Sequence, residues 1–145
     1  WASRGLGDVY KRQSPDVAIT FTEKAEECIL NTDRVRLSQV IINFTNNAMK
    51  FTPKGSIQMG YRIDEAKDEI YFYVKDTGIG IPADKINEVF ERFVKLNTFA
   101  KGTGLGLAIC RVIVERLGGT IGADSKEGEG SCFWFRLPIT QKSNN

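Results

Sequence analysis

The first fourteen residues, WASRGLGDVYKRQS, have scattered apolar positions and no period, and read as a tag remnant, a foreign stretch or a frayed end. From residue 17 to 22 the pattern changes: Val17, Ile19 and Phe21 alternate with smaller residues, as in a half-buried strand. Residues 28–30 predict a short second strand. Asp33 is an N-cap candidate for a long helix that ends near Phe51, where Thr52-Pro53-Lys54-Gly55 forms a turn sequence. Ile57, Met59, Tyr61 and Ile63 again alternate, and a charged turn over 64–69 leads to Ile70-Tyr-Phe-Tyr-Val74. That run is apolar on both faces and predicts a central strand. Pro82, Ala83 and Asp84 open a predicted second helix, with Ile86, Val89, Phe90 and Phe93 on one buried face. Residues 94–103 read as a loop. A third helix runs through Leu107, Ile109, Val112, Ile113 and Leu117 and stops at Gly118-Gly119. Residues 120–123 and 131–137 form a final hairpin, with Phe133, Phe135 and Leu137 on one face, before a polar tail over 141–145.

The first helix carries an unusual polar pattern. At about 100° per residue, Asn47 lies about 40° from Asn43 and Lys50 about 20° to the other side, so the three form one narrow stripe. Leu37, Val40, Phe44, Ala48 and Phe51 flank it on one side, and Val35, Ile42 and Met49 on the other; Arg34, Ser38 and Thr45 take the far side. The stripe is either solvated or the lining of a cavity in a helix packed into the fold. An asparagine oxygen is a hard neutral ligand suited to Mg²⁺, and a neighbouring lysine suits a phosphate.

Composition narrows the chemistry. A chain of 145 residues with 41% hydrophobic and 26% charged residues is ordinary for one soluble domain. A net charge of +2 and the lack of a basic run with interleaved aromatics give no case for nucleic acid. No apolar stretch reaches the length of a membrane span. Trp1 in place of Met suggests a piece of a longer protein, so membrane contact would come only through segments outside this chain. The three cysteines, Cys28, Cys110 and Cys132, have no C-x-x-C spacing and read as reduced thiols of a cytoplasmic protein. The chain has no histidine, which removes Ser-His-Asp and Cys-His catalysis and imidazole acid–base steps.

Two glycine loops supply the remaining candidates. Asp76 ends the central apolar strand, where a carboxylate is costly unless paired, and Gly78 and Gly80 follow it. Facing a ligand, Asp76 could accept a hydrogen bond from the exocyclic amine of adenine, whereas guanine would oppose two acceptors; Gly78 and Gly80 would keep the approach to the base open. Alone, this is a turn aspartate with two turn glycines. Gly102-Thr103-Gly104-Leu105-Gly106-Leu107 leads into the third helix, whose free amides make an anion site, or else forms a flexible connector. It is neither a Walker loop nor a dinucleotide fingerprint. Lys95 and Lys101 could reach terminal phosphates or be solvated surface lysines.

Four segments, in order, resemble the ATP-binding catalytic domain of bacterial two-component sensor histidine kinases, within the ATPase group shared with gyrase, MutL and heat-shock chaperones. Asn43-Phe-Thr-Asn-Asn47-Ala-Met-Lys50-Phe-Thr-Pro resembles the N box and Asp76-Thr-Gly-Ile-Gly80-Ile81-Pro the first glycine box. Phe90-Glu-Arg-Phe93 resembles the F box, and residues 102–107 the second glycine box. Gly128-Glu-Gly-Ser131 with Phe133 and Phe135 is similar to the closing hairpin, and the likeness covers about residues 17 to 139. It implies an α+β fold of Bergerat type: a two-layer sandwich, its mixed and mostly antiparallel sheet carrying about three helices on one face. It implies Mg-ATP binding, with Mg²⁺ on Asn47, support from Asn43, phosphate on Lys50 and the lid loop, adenine on Asp76, and Phe90 and Phe93 anchoring the lid. The partners would be a histidine-bearing dimerisation domain, which receives the γ-phosphate, and indirectly a response regulator. Lys101 stands where many members have glycine, and the helix expected before the first strand is missing or replaced by residues 1–14. A nucleotide-binding module without transfer, and a stand-alone ATPase or serine-directed switch kinase, are the alternatives.

Overall fold

The computed structural model describes residues 16–23, 28–29, 33–91, 106–139 and 141–142. Segment 1–14, Leu30, Phe93, the 94–103 loop with Lys95 and Lys101, and Gly102 to Leu105 lie outside the described residues.

Strands β1 (Val17–Glu23), β3 (Gly55–Asp64), β4 (Glu69–Asp76), β5 (Thr120–Lys126) and β6 (Gly130–Pro138) form one sheet in the order β1-β3-β4-β6-β5. Only β1 and β3 run parallel; the other neighbours are antiparallel. The apolar run at Ile70 is therefore central, as its pattern predicts. β2 (Cys28–Ile29) pairs with β7 (Gln141–Lys142) in a separate two-stranded sheet, so the predicted polar tail begins with a paired segment.

Helices α1 (Arg34–Phe51) and α2 (Gly106–Arg116) cover one face. Asp33 caps α1, its Oδ1 accepting from the amides of Val35 at 3.0 Å and Arg36 at 3.2 Å. At the end of α2, Gly118 takes φ +85°, its amide bonds the Glu115 carbonyl, and the Gly119 amide bonds the Val114 carbonyl. This is the paired closure that a left-handed glycine permits. Leu107, Cys110, Ile113 and Val114 form the buried side of α2, while Ile109 and Val112 face outward. Phe44 is the pivot of the core, 5.7 Å from the Phe133 ring and 6.2 Å from that of Phe135.

Three expectations need correction. The second predicted helix is a turn containing a short 3₁₀ segment, Ile86–Glu88, so two α-helices rather than about three stand among the described residues. Its amides reach three residues back, from Lys85 to Pro82 and from Glu88 to Lys85. A three-residue spacing of apolar side chains suits such a turn as well as an α-helix, and Val89 is still buried. Thr45 does not lie on a far side: it is 0% exposed and faces the sheet beside Met59. Its hydroxyl donates to the Ile41 carbonyl at 2.8 Å, which lets a polar side chain be buried there. Conversely Val35, at 76% exposed, and Ile42, at 37%, leave one flank of the asparagine stripe open.

No second helix layer covers the other face of the sheet among the described residues. Tyr71 lies beneath two guanidinium groups, Arg136 at 4.8 Å and Arg62 at 5.0 Å from its ring centre, and Arg136 pairs with Asp64 at 3.1 Å. Arginine planes cover the aromatic surface of β4, which explains a strand that reads as apolar on both sides.

Candidate nucleotide site

α1 links the two ends of the candidate site. Phe51 stands eight positions after Asn43, about 12 Å along the axis at about 1.5 Å per residue. At the Asn43 end stands the first turn of α2. The Asn43 amide nitrogen donates to Cys110 Sγ at 3.5 Å, and a Cβ on Gly106 would lie 3.8 Å from Asn43 Oδ1. The fold thus brings the N box and the helix that follows the second glycine loop into contact. Burial pushes the Cys110 thiol up to about 11, so it remains a neutral partner for Asn43. Asn47 is half-buried one turn on, and Lys50 is exposed in the last turn.

At the other end, Asp76 closes β4 and is only 3% exposed. Its Oδ1 accepts from the Gly78 amide at 2.9 Å and the Ser131 amide at 3.3 Å. Burial raises its pKa above the ordinary value, while the Gly78 and Ser131 amides act in the opposite direction. Thr52 Oγ1, against which the Gly78 backbone packs, is fully buried and closes no hydrogen bond of ordinary geometry.

The glycines of this loop are held in close packing. A Cβ on Gly78 would strike the Phe51 carbonyl and come within 2.6 Å of Thr52 Oγ1. Gly80 takes φ +72°, and its Cβ would strike the Lys126 carbonyl. Both Cβ directions point into backbone, so these glycines wedge the loop between α1 and the β5–β6 turn. Bonds from the Ile79 amide to the Phe51 carbonyl, at 2.9 Å, and from the Gly128 amide to the Ile79 carbonyl, at 2.7 Å, secure both contacts. Ile81 is a core residue, its amide donating to Ser125 Oγ at 2.8 Å. Leu107 is buried too, and Phe90 packs edge-on against Phe133 at 6.2 Å.

The structure therefore gathers Asn43 with Gly106, and Asp76 with the Gly78–Gly80 loop, along one helix. Sequence reasoning missed Ser131 as a partner of Asp76, and Thr52 as a buried hydroxyl packed against the same loop. Ser131 follows from the β4–β6 register, which sets it opposite Asp76; Thr52 follows from the reversal after α1. Neither carries a local signal.

A family model described as Histidine kinase-, DNA gyrase B-, and HSP90-like ATPase matches residues 32–141. Autoinducer 2 sensor kinase/phosphatase LuxQ of Vibrio vulnificus (strain YJ016) is 39% identical over 121 residues, covering 78% of this chain and 14% of LuxQ. Sensor histidine kinase RcsC of Escherichia coli (strain K12) is 42% identical over 123 residues, covering 82% of this chain and 13% of RcsC. The chain thus spans a small part of these relatives. Among solved structures, full-length ShkA in complex with AMPPNP superposes with a TM-score of 0.84 at 29% identity, over 97% of this chain and 29% of ShkA. The matched model takes in both helices and the strands around Asp76, and the chain belongs to the histidine kinase-, DNA gyrase B- and HSP90-like ATPase family.

Proposed function

We propose that this domain binds ATP with Mg²⁺ and presents the γ-phosphate to a histidine on a separate dimerisation domain, in two-component signalling. The observation that carries the reading is Asp76, a buried carboxylate at the end of a central strand. Both backbone bonds converge on its Oδ1. A carboxylate so held is a fixed acceptor for the exocyclic amine of adenine. The AMPPNP complex of ShkA and the kinase names of LuxQ and RcsC support the same reading.

Asn43 and Asn47 fit a magnesium ion by their chemistry: neutral oxygen donors of the kind Mg²⁺ takes in small number, alongside water and substrate phosphates. When bound, the ion would neutralise charge on the transferring phosphate. Asn47 would hold it, with Asn43 beside it, and Lys50 would contact phosphate. Lys95, Lys101 and residues 102–107 would hold the phosphate tail, and Phe90 and Phe93 would anchor that lid. The chain contains no histidine, so the acceptor is another domain, and a response regulator would take the phosphoryl group in turn. The work would be done in the cytosol.

The test is to mix the domain with Mg-ATP and the histidine-bearing dimerisation domain of its parent kinase. Phosphohistidine on that domain is the expected result. Tight ATP binding without transfer would overturn the kinase reading and leave a nucleotide-binding module.

A further inference from the structure

Where α1 meets α2, the two ends of one side-chain amide find different neighbours. Gly106 and Cys110 stand four residues apart in α2, so they share a face one turn apart. That face meets Asn43. The Asn43 amide nitrogen donates to Cys110 Sγ at 3.5 Å. Asn43 Oδ1 lies on the Gly106 side, where a Cβ on that glycine would stand 3.8 Å from it, and it accepts no hydrogen bond among the described residues. Cys110 is 0% exposed and Asn43 is half-buried.

The last torsion of an asparagine is broad and roughly two-fold, and its two ends have nearly the same shape. Their chemistry is opposite, because the oxygen accepts and the nitrogen donates. Packing alone therefore does not choose between the two orientations; a neighbour that tells nitrogen from oxygen does. We propose that Cys110 is a positioning residue for the metal and phosphate end of the site: its sulfur holds the Asn43 nitrogen and so keeps the Asn43 oxygen turned toward the first turn of α2. The inference rests on the reading that Asn43 supports Mg²⁺ and phosphate. In this orientation Asn43 offers a neutral oxygen, the donor type that Mg²⁺ takes. Turned over, it offers N–H groups, which can bond a phosphate oxygen but meet a cation with positive partial charge. Loss of the sulfur acceptor then weakens what Mg²⁺ adds to nucleotide affinity and spares nucleotide binding without the metal. A packing defect between the helices would lower both.

ATP affinity is measured with Mg²⁺ and with a chelator in its place, for this chain and for Cys110→Val, Cys110→Ala and Cys110→Ser; the ratio of the two is the Mg²⁺ gain. Valine fills the space without an acceptor and alanine leaves it empty. Serine keeps an acceptor, since its own proton has the Gly106 carbonyl one turn back. Cys110→Val and Cys110→Ala are expected to cut the gain about tenfold while metal-free affinity moves less than about twofold, and Cys110→Ser to keep the gain. In the domain without nucleotide or metal, the Asn43 side-chain NH₂ signals, assigned by their loss in Asn43→Asp, should exchange faster with water in the valine and alanine variants and not in the serine variant. An unchanged gain, parallel losses with and without metal, or equal exchange in every variant would overturn the proposal and leave Cys110 a packing residue. If Cys110→Val does not fold, Cys110→Ala carries the same expectation. The parent chain separates the two levels. Should Mg²⁺ add nothing to its ATP affinity, the placement of Asn43 at a metal site fails and the proposal with it. If the parent shows the gain and the Cys110 variants keep it, only the role of Cys110 fails.

Discussion

Burial favours the neutral form of a carboxyl group, and at Asp76 it outweighs the donors arranged around it. The folded pKa thus lies above the ordinary value of 3.8. The sign follows from linkage: the ligand-free fold gains most from this group when it is protonated, and loses that increment as pH rises through the folded pKa. Asp76→Asn keeps an oxygen for the Gly78 and Ser131 amides and removes the charge. It is expected to melt higher than the parent at neutral pH, to match it in acid, and to bind ATP weakly; thermal melts across pH with a nucleotide titration check this. A variant no more stable than the parent at neutral pH would contradict it. Gly78→Ala should cost about 1–3 kcal/mol, because the new methyl meets the Phe51 carbonyl, and urea midpoints measure it. Asp76 was legible in the sequence because a charge at the end of an apolar run demands a reason. Thr52 and Ser131 were not, because their role depends on what the fold sets beside them.

Individual elements show where one-dimensional patterns reach their limit. The Asp33 cap, the stop after Phe51 and the glycine closure of α2 are local chemistry, and each stands where the residues place it. Asp33→Ala should cost about 1 kcal/mol, since two amides of the first turn lose their acceptor. An unchanged denaturant midpoint would refute that. The orientation of α1 was less legible: which side meets the sheet was read from hydrophobicity, and the self-satisfied hydroxyl of Thr45 behaves as an apolar group. The Ile86 segment was misread for another reason, since i and i+3 positions share a face in both 3₁₀ and α geometry. The β1–β3 parallel pairing and the β2–β7 contact join distant stretches, and no local period encodes either.

On the scale of the whole molecule, one aromatic cluster ties the helix layer to the sheet. Phe44→Ala should remove about 3–5 kcal/mol, a large share of the about 5–15 kcal/mol by which such domains are stable. Loss of cooperative unfolding is the expected readout, and a melting temperature within a few degrees of the parent would refute it. The sheet order has a bearing on synthesis. β6 is inserted between β4 and β5, although both precede it in the chain. A nascent chain that has emerged as far as Lys126 carries the asparagine stripe, Asp76 and both glycine segments, but β5 lacks its neighbour in the sheet and Asp76 lacks the Ser131 amide. On the proposed nucleotide reading, competence to hold ATP would arrive with the last long strand. Ribosome-bound chains from which no residue beyond Lys126 has emerged should not retain ATP, and those from which Pro138 has emerged should.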